Sequence, residues 1–366
     1  MACFHPKKGF LIGSTAKGAP KYKITPWSVD HVEEVDLVNH VWKGFESPYN
    51  RAADPRVYTC DEFRYHVVTD FIPIPCGNCL GCRLDYARDW SARLRHELEM
   101  HDSDECWFLT LTYNDESLLE TFTDSSVDRL RIGADSLGEA CFWTNLDERD
   151  MTLFWKRVRK DFPDRKIVYY YAGEYGEKRA RCHFHAIVYD LPLDPKELHP
   201  NGANELGQMT WRSDYLERKW QHGNVIVGKV TTESCAYVAR YTLKKAREMW
   251  ENDFSNRVRP FVRMSRNPGI GKTYLVSHPE IFDVSRFPLQ SAKDKPLMVP
   301  HPRYYLKVLK EFDEDRYSEI KFDRAVAGIN AYEAALKNQK PYLDQLRDKE
   351  LDILRKTSII RRRKDL

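Results

Sequence analysis

The chain has 366 residues, of which 42% are apolar and 31% charged, and its formal net charge is +3 at pH 7. The mean hydropathy of −0.63 and the lack of any run of about 18 apolar residues exclude a membrane-spanning helix and predict a soluble globular protein. The first ten residues hold no apolar segment, so no secretory signal is expected. The small net charge does not itself indicate a nucleic-acid partner, although basic clusters at 242–249 and 256–266 are compatible with one.

Hydrophobic periodicity predicts a mixed series of helices and strands. Residues 1 to about 75 show no sustained period and are predicted to be irregular. The elements predicted after them are a helix at 83–100, a strand at 106–113, a polar loop-like region at 114–145, a helix at 146–162 that Pro163 ends, two hairpin strands within 166–190, a loop at 199–208, a helix at 213–220, a strand at 224–230 and a helix at 231–250. From about residue 303 the chain is charged and predicted to be helical.

The stretch RCHFHAIVYD, residues 181–190, places two histidines on one face of a predicted strand. Alternate side chains of a strand point to opposite faces, so His183 and His185 share one side while the apolar residues Cys182, Phe184 and Ala186 face a core. Two histidines at this spacing can bind one metal ion. This stretch alone is equally consistent with a metal site and with two incidental histidines.

The predicted helix at 231–250 carries tyrosines on one face. At 100° per residue, Cys235, Ala239, Thr242 and Ala246 form a stripe of small side chains, which permits close packing. The opposite face carries three residues at i, i+4 and i+7: Tyr237, Tyr241 and Lys244. A tyrosine face of this kind can also be a core face against a sheet, so the pattern becomes specific only together with the histidines.

Together, these features resemble the HUH endonuclease superfamily, and more closely the replication initiators of gokushoviruses, the small single-stranded DNA phages of the Microviridae. The segments that carry the resemblance lie within residues 76–272 and are CGNCLGCRLDYARDWSARLRHE, FLTLTY, GEYGEKRARCHFHAIV, CAYVARYTLKK and MSRNPGIGK. The residues before and after this region resemble the family only loosely. One departure is Cys182, where Pro is more usual in the family.

The resemblance implies a divalent cation bound by His183, His185 and an upstream acid. Glu174 lies nine residues before His183 and Glu177 lies six before it. In a hairpin that closes near 177–179, Glu174 is across from His183 and Glu177 is in the turn, so Glu174 is preferred and Glu177 is the alternative. Nitrogen and oxygen ligands in this mixture suit Mg²⁺ or Mn²⁺, and Mn²⁺ accepts imidazole better.

By the same resemblance, Tyr237 or Tyr241 attacks the scissile phosphate and forms a 5′-phosphotyrosine with a free 3′-OH. A tyrosine pKa near 10 leaves the phenol protonated, so Lys244 is expected to assist, or else to be a solvated lysine. The order in which the two tyrosines act cannot be read from the sequence.

Three further basic residues are candidates for DNA binding: Lys245, Arg263 and Arg266. The nearby NPGIGKT does not match a P-loop, because Arg266 stands where that motif requires Gly. No ATPase activity is therefore expected, and any helicase would be a host partner.

The segment CGNCLGC places Cys76, Cys79 and Cys82 at two overlapping C-x-x-C spacings, which is typical of structural zinc. Candidates for a fourth ligand are Cys3, His5, Cys60 and His66, and the resemblance favours Cys3 because the family has an early cysteine. The total of nine cysteines, without a secretory signal, favours reduced thiols over disulfides. A metal-free or redox-active cluster stays open.

The predicted fold is α+β, an antiparallel sheet centred on 106–113, 167–173 and 181–189 with covering helices, similar to the RRM-like core of the HUH superfamily. The predicted domains are an N-terminal extension with the Cys cluster and a helix (1–100), the endonuclease core (101–275) and a C-terminal helical extension (276–366).

The predicted function is metal-dependent nicking and strand transfer on single-stranded and replicative-form phage DNA during rolling-circle replication. The expected partners are this DNA and a host helicase and polymerase, without a membrane, in the host bacterial cytoplasm. The alternatives are a non-catalytic zinc-containing nucleic-acid-binding protein, a hydrolase that nicks with water, and a relaxase or transposase of the same superfamily.

Overall fold

The computed structural model describes residues 3–14, 20–37, 57–60, 63–119, 130–134, 140–176, 181–204, 207–240, 258–289 and 296–362. These residues form two compact units, one from the described parts of 1–83 and 315–366 and the other from the described parts of 84–314. The predicted domain division at residues 100 and 275 stays a prediction.

The first unit contains two three-stranded antiparallel sheets, with strand orders β2-β1-β6 and β3-β5-β4. The six strands are β1 (Lys7–Ser14), β2 (Pro20–Thr25), β3 (Val32–Leu37), β4 (Val57–Cys60), β5 (Phe63–Val68) and β6 (Phe71–Ile74). The prediction that residues 1–75 are irregular is therefore wrong. These strands are short, and β1 pairs with β6 about 60 positions away in the chain, so no local period reveals them.

Two long helices belong to the same unit, α8 (Glu314–Leu336) and α9 (Tyr342–Arg362). Their aromatic residues Tyr332 and Tyr342 contact Trp27, which also lies 5.4 Å, ring centre to ring centre, from Phe71 of β6. This aromatic cluster packs the helices against the first sheet. The predicted helical C-terminal region is confirmed by α8, α9 and the preceding α7 (Arg303–Phe312).

The second unit is built on a seven-stranded antiparallel sheet of order β12-β13-β14-β7-β11-β10-β15. Its strands are β7 (Trp107–Thr112), β10 (Val168–Tyr175), β11 (Cys182–Tyr189), β12 (Leu198–Ala203), β13 (Met209–Ser213), β14 (Val225–Lys229) and β15 (Phe261–Met264). The predicted central strands β7, β11 and β10 are adjacent, which confirms the α+β class and the centre of the sheet.

Helices cover both faces of this sheet. One face packs against α3 (Glu148–Asp161) and α4 (Asp214–Trp220), and we call it the α3/α4 face. The other packs against α1 (Leu80–Leu98) and the helix at 232–240, α5, and we call it the α1/α5 face. Helix α3 ends at Asp161, before Pro163, as predicted. Helix α6 (Lys272–Ser277) lies farther along the chain.

Two regions predicted as loops contain regular elements. Within 114–145 the structure has α2 (Asp115–Leu119) and the hairpin strands β8 (Leu130–Ala134) and β9 (Ala140–Thr144). The predicted loop at 199–208 lies largely in the hairpin of β12 and β13. Strand β12 is at the sheet edge, where Pro200 and Gly202 are tolerated because no neighbour needs their outer hydrogen-bonding groups. The remaining short hairpin pairs β16 (Arg286–Leu289) with β17 (Leu297–Pro300).

Candidate metal centre and tyrosine helix

The β10–β11 hairpin brings Glu174 and the two histidines together. In the register of this pair, Glu174 is directly opposite His183, as predicted. The alternation predicted for β11 is also confirmed, because Cys182, Phe184 and Ala186 are fully buried in the core of the α3/α4 face. His183 and His185 therefore project, with Glu174, from the α1/α5 face.

The polar atoms of these residues converge on one carboxylate oxygen. Oε1 of Glu174 lies 2.8 Å from Nε2 of His183 and 3.3 Å from Nε2 of His185. Three ligand atoms, one from each residue, lie within 4.8 Å of one another. Glu174 and His185 are buried, with 5% and 7% of their surfaces exposed, whereas His183 is partly exposed.

The outer ring nitrogens decide which atoms face the centre. Nδ1 of His183 is 3.1 Å from the carbonyl oxygen of Arg181, which can only accept, so Nδ1 donates the proton. Nδ1 of His185 is 3.0 Å from the hydroxyl oxygen of Thr110. A neutral His183 ring therefore directs its Nε2 lone pair at the carboxylate. That arrangement is repulsive unless a proton or a metal cation lies between them.

The distances suit a metal cation. Ligand atoms about 2.1 Å from an ion and about 90–110° apart are separated by roughly 3.0–3.4 Å. The separations of 2.8 and 3.3 Å around Oε1 of Glu174 are close to that range. The fixed outer hydrogen bonds of the imidazoles are also the usual way in which proteins orient metal-binding histidines. Glu174, His183 and His185 can thus hold a metal ion.

The charge state of Glu174 agrees with this role. Burial opposes ionisation of the carboxyl, but hydrogen bonds from His183 and His185 outweigh it and lower the pKa of Glu174 to about 2. The side chain is therefore a carboxylate at neutral pH, which is the form that binds cations.

Helix α5 places a tyrosine beside this centre. Its N-terminus is capped by Thr231, whose hydroxyl accepts from the backbone N–H of Ser234. Cys235 and Ala239 are fully buried, as predicted for the small-residue stripe. Tyr237 is 42% exposed, so it is not a core residue. Its ring centre lies 5.6 Å from that of His185, edge to face.

The other predicted site residues are distributed differently. Glu177, Tyr241, Lys244 and Lys245 lie outside the described residues. Arg263 is opposite Tyr171 in the β10–β15 pair, on the α3/α4 face, and donates two hydrogen bonds of 2.6 Å to the carboxylate of Glu148. It is therefore on the sheet face opposite His185. Arg266 is exposed in the turn after β15.

Sequence reasoning missed Thr110, the hydroxyl partner of His185. Strand β7 places Thr110 opposite His185 and Thr112 opposite His183. The alternation in WFLTLT contains the signal, because its apolar residues Leu109 and Leu111 are buried and its threonines point to the other face. Only the register of β7 against β11 shows that these threonines face the histidines.

The cysteine cluster forms a second group of candidate metal ligands, in the first unit. The four sulfur atoms of Cys3, Cys76, Cys79 and Cys82 lie within 4.8 Å of one another. Of the other proposed fourth ligands, His5 contacts Glu350 at 2.8 Å. The side chains of Cys60 and His66 lie outside the described part of the chain.

Comparison with known proteins agrees with the sequence resemblance. The model of a family of replication-associated proteins, described by its member ORF2, matches residues 106–246, which run from just before β7 through α5. Replication-associated protein VP4 of Bdellovibrio phage phiMH2K is 31% identical over 278 residues, 74% of this chain and 77% of that protein. Replication-associated protein ORF2 of Spiroplasma virus 4 is 29% identical over 321 residues, 86% of this chain and 92% of that protein.

A more distant relative is replication-associated protein ORF4 of Chlamydia phage 1, 27% identical over 277 residues, 72% of this chain and 62% of that protein. No solved structure shows a significant match. In the described part of the chain, no helix has both the length and the apolar character needed to cross a bilayer. The match between fold, site and sequence defines a phage protein of DNA replication. The chain belongs to the family of phage replication-associated proteins, of the gokushovirus type.

Proposed function

We propose that this protein initiates rolling-circle replication by nicking single-stranded DNA at the phage origin with a tyrosine nucleophile. The observation that carries the proposal is the convergence of Glu174, His183 and His185 on one point, with the ring of Tyr237 5.6 Å from that of His185. A metal-ligand group and an accessible phenol on adjacent elements are the two parts that this reaction needs.

In the proposed reaction, the phenol oxygen attacks the scissile phosphorus. The phenol gives up its proton, the bond from phosphorus to the 3′ oxygen breaks, and the departing oxygen is protonated to a 3′-OH. A divalent cation held by Glu174, His183 and His185 would polarise the phosphate and neutralise charge on its oxygens. With two nitrogen ligands and one oxygen ligand, Mn²⁺ or Mg²⁺ fits this role, and Mn²⁺ accepts imidazole better.

Tyr237 is the nucleophile that we propose next to the metal centre, and Tyr241 follows it by one helical turn. Two such tyrosines allow one to hold the cut DNA end while the other cuts the regenerated origin. Lys244 follows Tyr241 by three residues, where a cation would lower the phenol pKa or bind phosphate. Lys245, Arg263 and Arg266 are proposed to contribute to DNA binding.

The free 3′-OH left by the nick would be extended by a host polymerase, with a host helicase to separate the strands. The substrate is single-stranded or locally unwound replicative-form DNA, because a flexible strand is needed to reach both the cation and the tyrosine. With these partners, the activity would take place in the cytoplasm of the host bacterium.

The test uses 5′- and 3′-labelled single-stranded oligonucleotides that tile both strands of the phage genome encoding this chain. The full-length protein is incubated with each oligonucleotide and Mn²⁺, and the products are separated on denaturing gels. We expect one oligonucleotide to be cut at a single position, with the label on the downstream fragment migrating with the protein. The double variant Tyr237→Phe, Tyr241→Phe should neither cut nor form the adduct.

The matched control is Tyr86→Phe, which changes another exposed tyrosine. It should cut as the unchanged protein does. Cleavage without a protein-linked fragment would instead indicate a hydrolase that uses water. Binding without cleavage would indicate a non-catalytic nucleic-acid-binding protein, and either result contradicts the proposal.

A further inference from the structure

The four clustered cysteines come from two distant parts of the sequence. Cys3 precedes β1, whereas Cys76 and Cys79 precede α1 and Cys82 lies in its first turn. Cys3 and Cys79 are buried, with Phe4, beside Leu80 and Ile353 of α9. The cluster thus lies where the N-terminal segment, the start of α1 and the C-terminal helix of the first unit meet.

The distances between the sulfur atoms are those of a tetrahedral metal site. Sγ of Cys76 is 4.0 Å from Sγ of Cys82, and Sγ of Cys79 is 3.8 Å from Sγ of Cys3. Four sulfur atoms about 2.3 Å from a central zinc ion are about 3.8 Å apart along the edges of a tetrahedron. A disulfide bond is only about 2.05 Å long, so neither pair is bonded.

Backbone N–H groups are directed at the sulfur atoms. Asn78 and Cys79 donate to Sγ of Cys76 at 3.4 and 3.3 Å, and Cys76 donates to Sγ of Cys3 at 3.2 Å. The turn that makes the first two bonds contains Gly77 at φ +81°, a conformation that a larger residue would adopt only with strain. Such donors stabilise thiolates, which are the form in which cysteine binds zinc.

A fourth N–H donor and a cation complete the surroundings. Phe4 donates its N–H to Sγ of Cys79 at 3.2 Å. The guanidinium of Arg83 binds the carbonyl oxygen of Asn78 at 2.6 Å and interacts electrostatically with Cys76 and Cys79. Four thiolates around Zn²⁺ carry a net charge of −2, which Arg83 partly offsets.

From this geometry we infer that Cys3, Cys76, Cys79 and Cys82 bind a structural zinc ion as four thiolates. Each cysteine gives up its thiol proton when its Zn–S bond forms, with no change in oxidation state. The ion ties Cys3 to the start of α1, across a 73-residue separation, under the side chain of Ile353. All four sulfurs are used as ligands, so the role is structural and leaves no position for substrate. The inference does not depend on the proposed nicking activity.

The test measures metal content of the full-length protein by elemental mass spectrometry after gel filtration in a weak chelator. We expect one zinc ion per chain in the unchanged protein. The variants Cys79→Ser and Cys82→Ser should lose it, whereas Cys235→Ser, which changes a buried free cysteine outside the cluster, should keep it. A His183→Ala, His185→Ala double variant should also keep its zinc, which separates this site from the candidate nuclease centre.

A second measurement does not depend on whether the serine variants fold. The unchanged protein, produced in cobalt-supplemented medium, should show the intense visible absorption of tetrahedral, thiolate-bound Co²⁺. Zinc-free protein whose four thiols react freely with a thiol reagent in the native state would overturn the inference. So would iron in place of zinc, or loss of the zinc in the histidine variant instead of the cysteine variants.

Discussion

Glu174 lies directly across the β10–β11 ladder from His183, and its Oε1 is 2.8 Å from Nε2 of that histidine. The same oxygen lies 3.3 Å from Nε2 of His185. One carboxylate oxygen therefore serves two imidazoles, and Nδ1 of His183 already donates to the carbonyl of Arg181. A cation between these atoms resolves the repulsion that neutral rings would create, so the proposed metal dependence of the protein rests on Glu174.

Replacement of Glu174 by Gln should abolish metal-dependent nicking. Gln keeps the shape of the side chain but removes the charge and one good oxygen ligand. Because loss of a ligand's outer hydrogen-bond partner alone costs about 10–100-fold in metal affinity or activity, we expect the nicking rate to fall by more than about 100-fold. The measurement is the initial nicking rate over a series of Mn²⁺ concentrations.

The matched control is Glu148→Gln on the α3/α4 face, which removes a carboxylate that pairs with Arg263. That pair is partly exposed, so its loss should cost little stability, less than about 1 kcal/mol. Nicking by Glu148→Gln should stay within about threefold of the unchanged protein, since a surface change of this kind leaves the candidate centre intact. Equal activity of the two variants would show that Glu174 is not a ligand.

Thr110 should act as a positioning residue for His185. The Thr110→Val variant keeps the β-branched shape but removes the hydroxyl that bonds Nδ1 at 3.0 Å. We expect the Mn²⁺ concentration for half-maximal nicking to rise about 10–100-fold, with a smaller change in the rate at saturating Mn²⁺. Thr112→Val is the control, because that hydroxyl contacts the carbonyl of Asn224 instead of a histidine. A shift of the same size in both variants would refute the positioning role.

Phe184 should stabilise the sheet that carries the histidines. It is fully buried and its ring contacts those of Tyr171, Trp220 and Phe261. We expect Phe184→Ala to lower the free energy of unfolding by about 3–5 kcal/mol. The same change at Phe322, which is exposed, should cost less than about 0.5 kcal/mol. Urea unfolding of both variants measures the difference, and similar losses would contradict the described core.

The buried His96 should make the second unit sensitive to acid. Burial is the main cause that lowers the pKa of His96 to about 4, since its ring is enclosed by Tyr274, Phe287 and Tyr305. Between pH 6.5 and 4 the unfolded chain therefore binds more protons at this position than the folded chain. The free energy of unfolding should fall as the pH decreases through that window, by up to about 3 kcal/mol from this residue.

The His96→Phe variant tests this pH dependence. It keeps an aromatic ring but cannot titrate, and it loses the hydrogen bond between Nδ1 and the hydroxyl of Tyr305. That loss should lower stability by a similar amount at each pH. The stability gap between the two proteins should therefore narrow between pH 7 and pH 4.5, as measured by urea unfolding. Parallel pH profiles would contradict the low pKa.

The parts of the site that the sequence could predict depend on short-range geometry. The alternation in CHFHAIV fixes which side chains share a face, and a tight hairpin fixes that Glu174 is opposite His183. The small residues Cys235 and Ala239 of α5 indicate a packed face in the same way, because helical periodicity is local. These features were predicted correctly because each depends on neighbours within about ten residues.

What the sequence could not predict depends on pairing between distant segments. Strand β1 pairs with β6, and Lys8 of β1 is buried although it is charged. Its ammonium group is accommodated by the carbonyl of Val29 at 2.7 Å and by the ring of Phe71 at 4.7 Å. A lysine in a strand normally indicates an exposed position, so the pattern misleads without these partners. Thr110 was missed for the same reason, since only the β7–β11 register brings it to His185.

The most direct test of the account is to identify the residue that becomes linked to DNA. The adduct formed with Mn²⁺ and the cleaved oligonucleotide is digested with a protease and a nuclease, and the nucleotide-bearing peptide is sequenced by mass spectrometry. The account predicts a phosphodiester on Tyr237 or Tyr241, absent from Glu174→Gln protein. A modified residue elsewhere in the chain, or an adduct that forms equally well without Glu174, would contradict it.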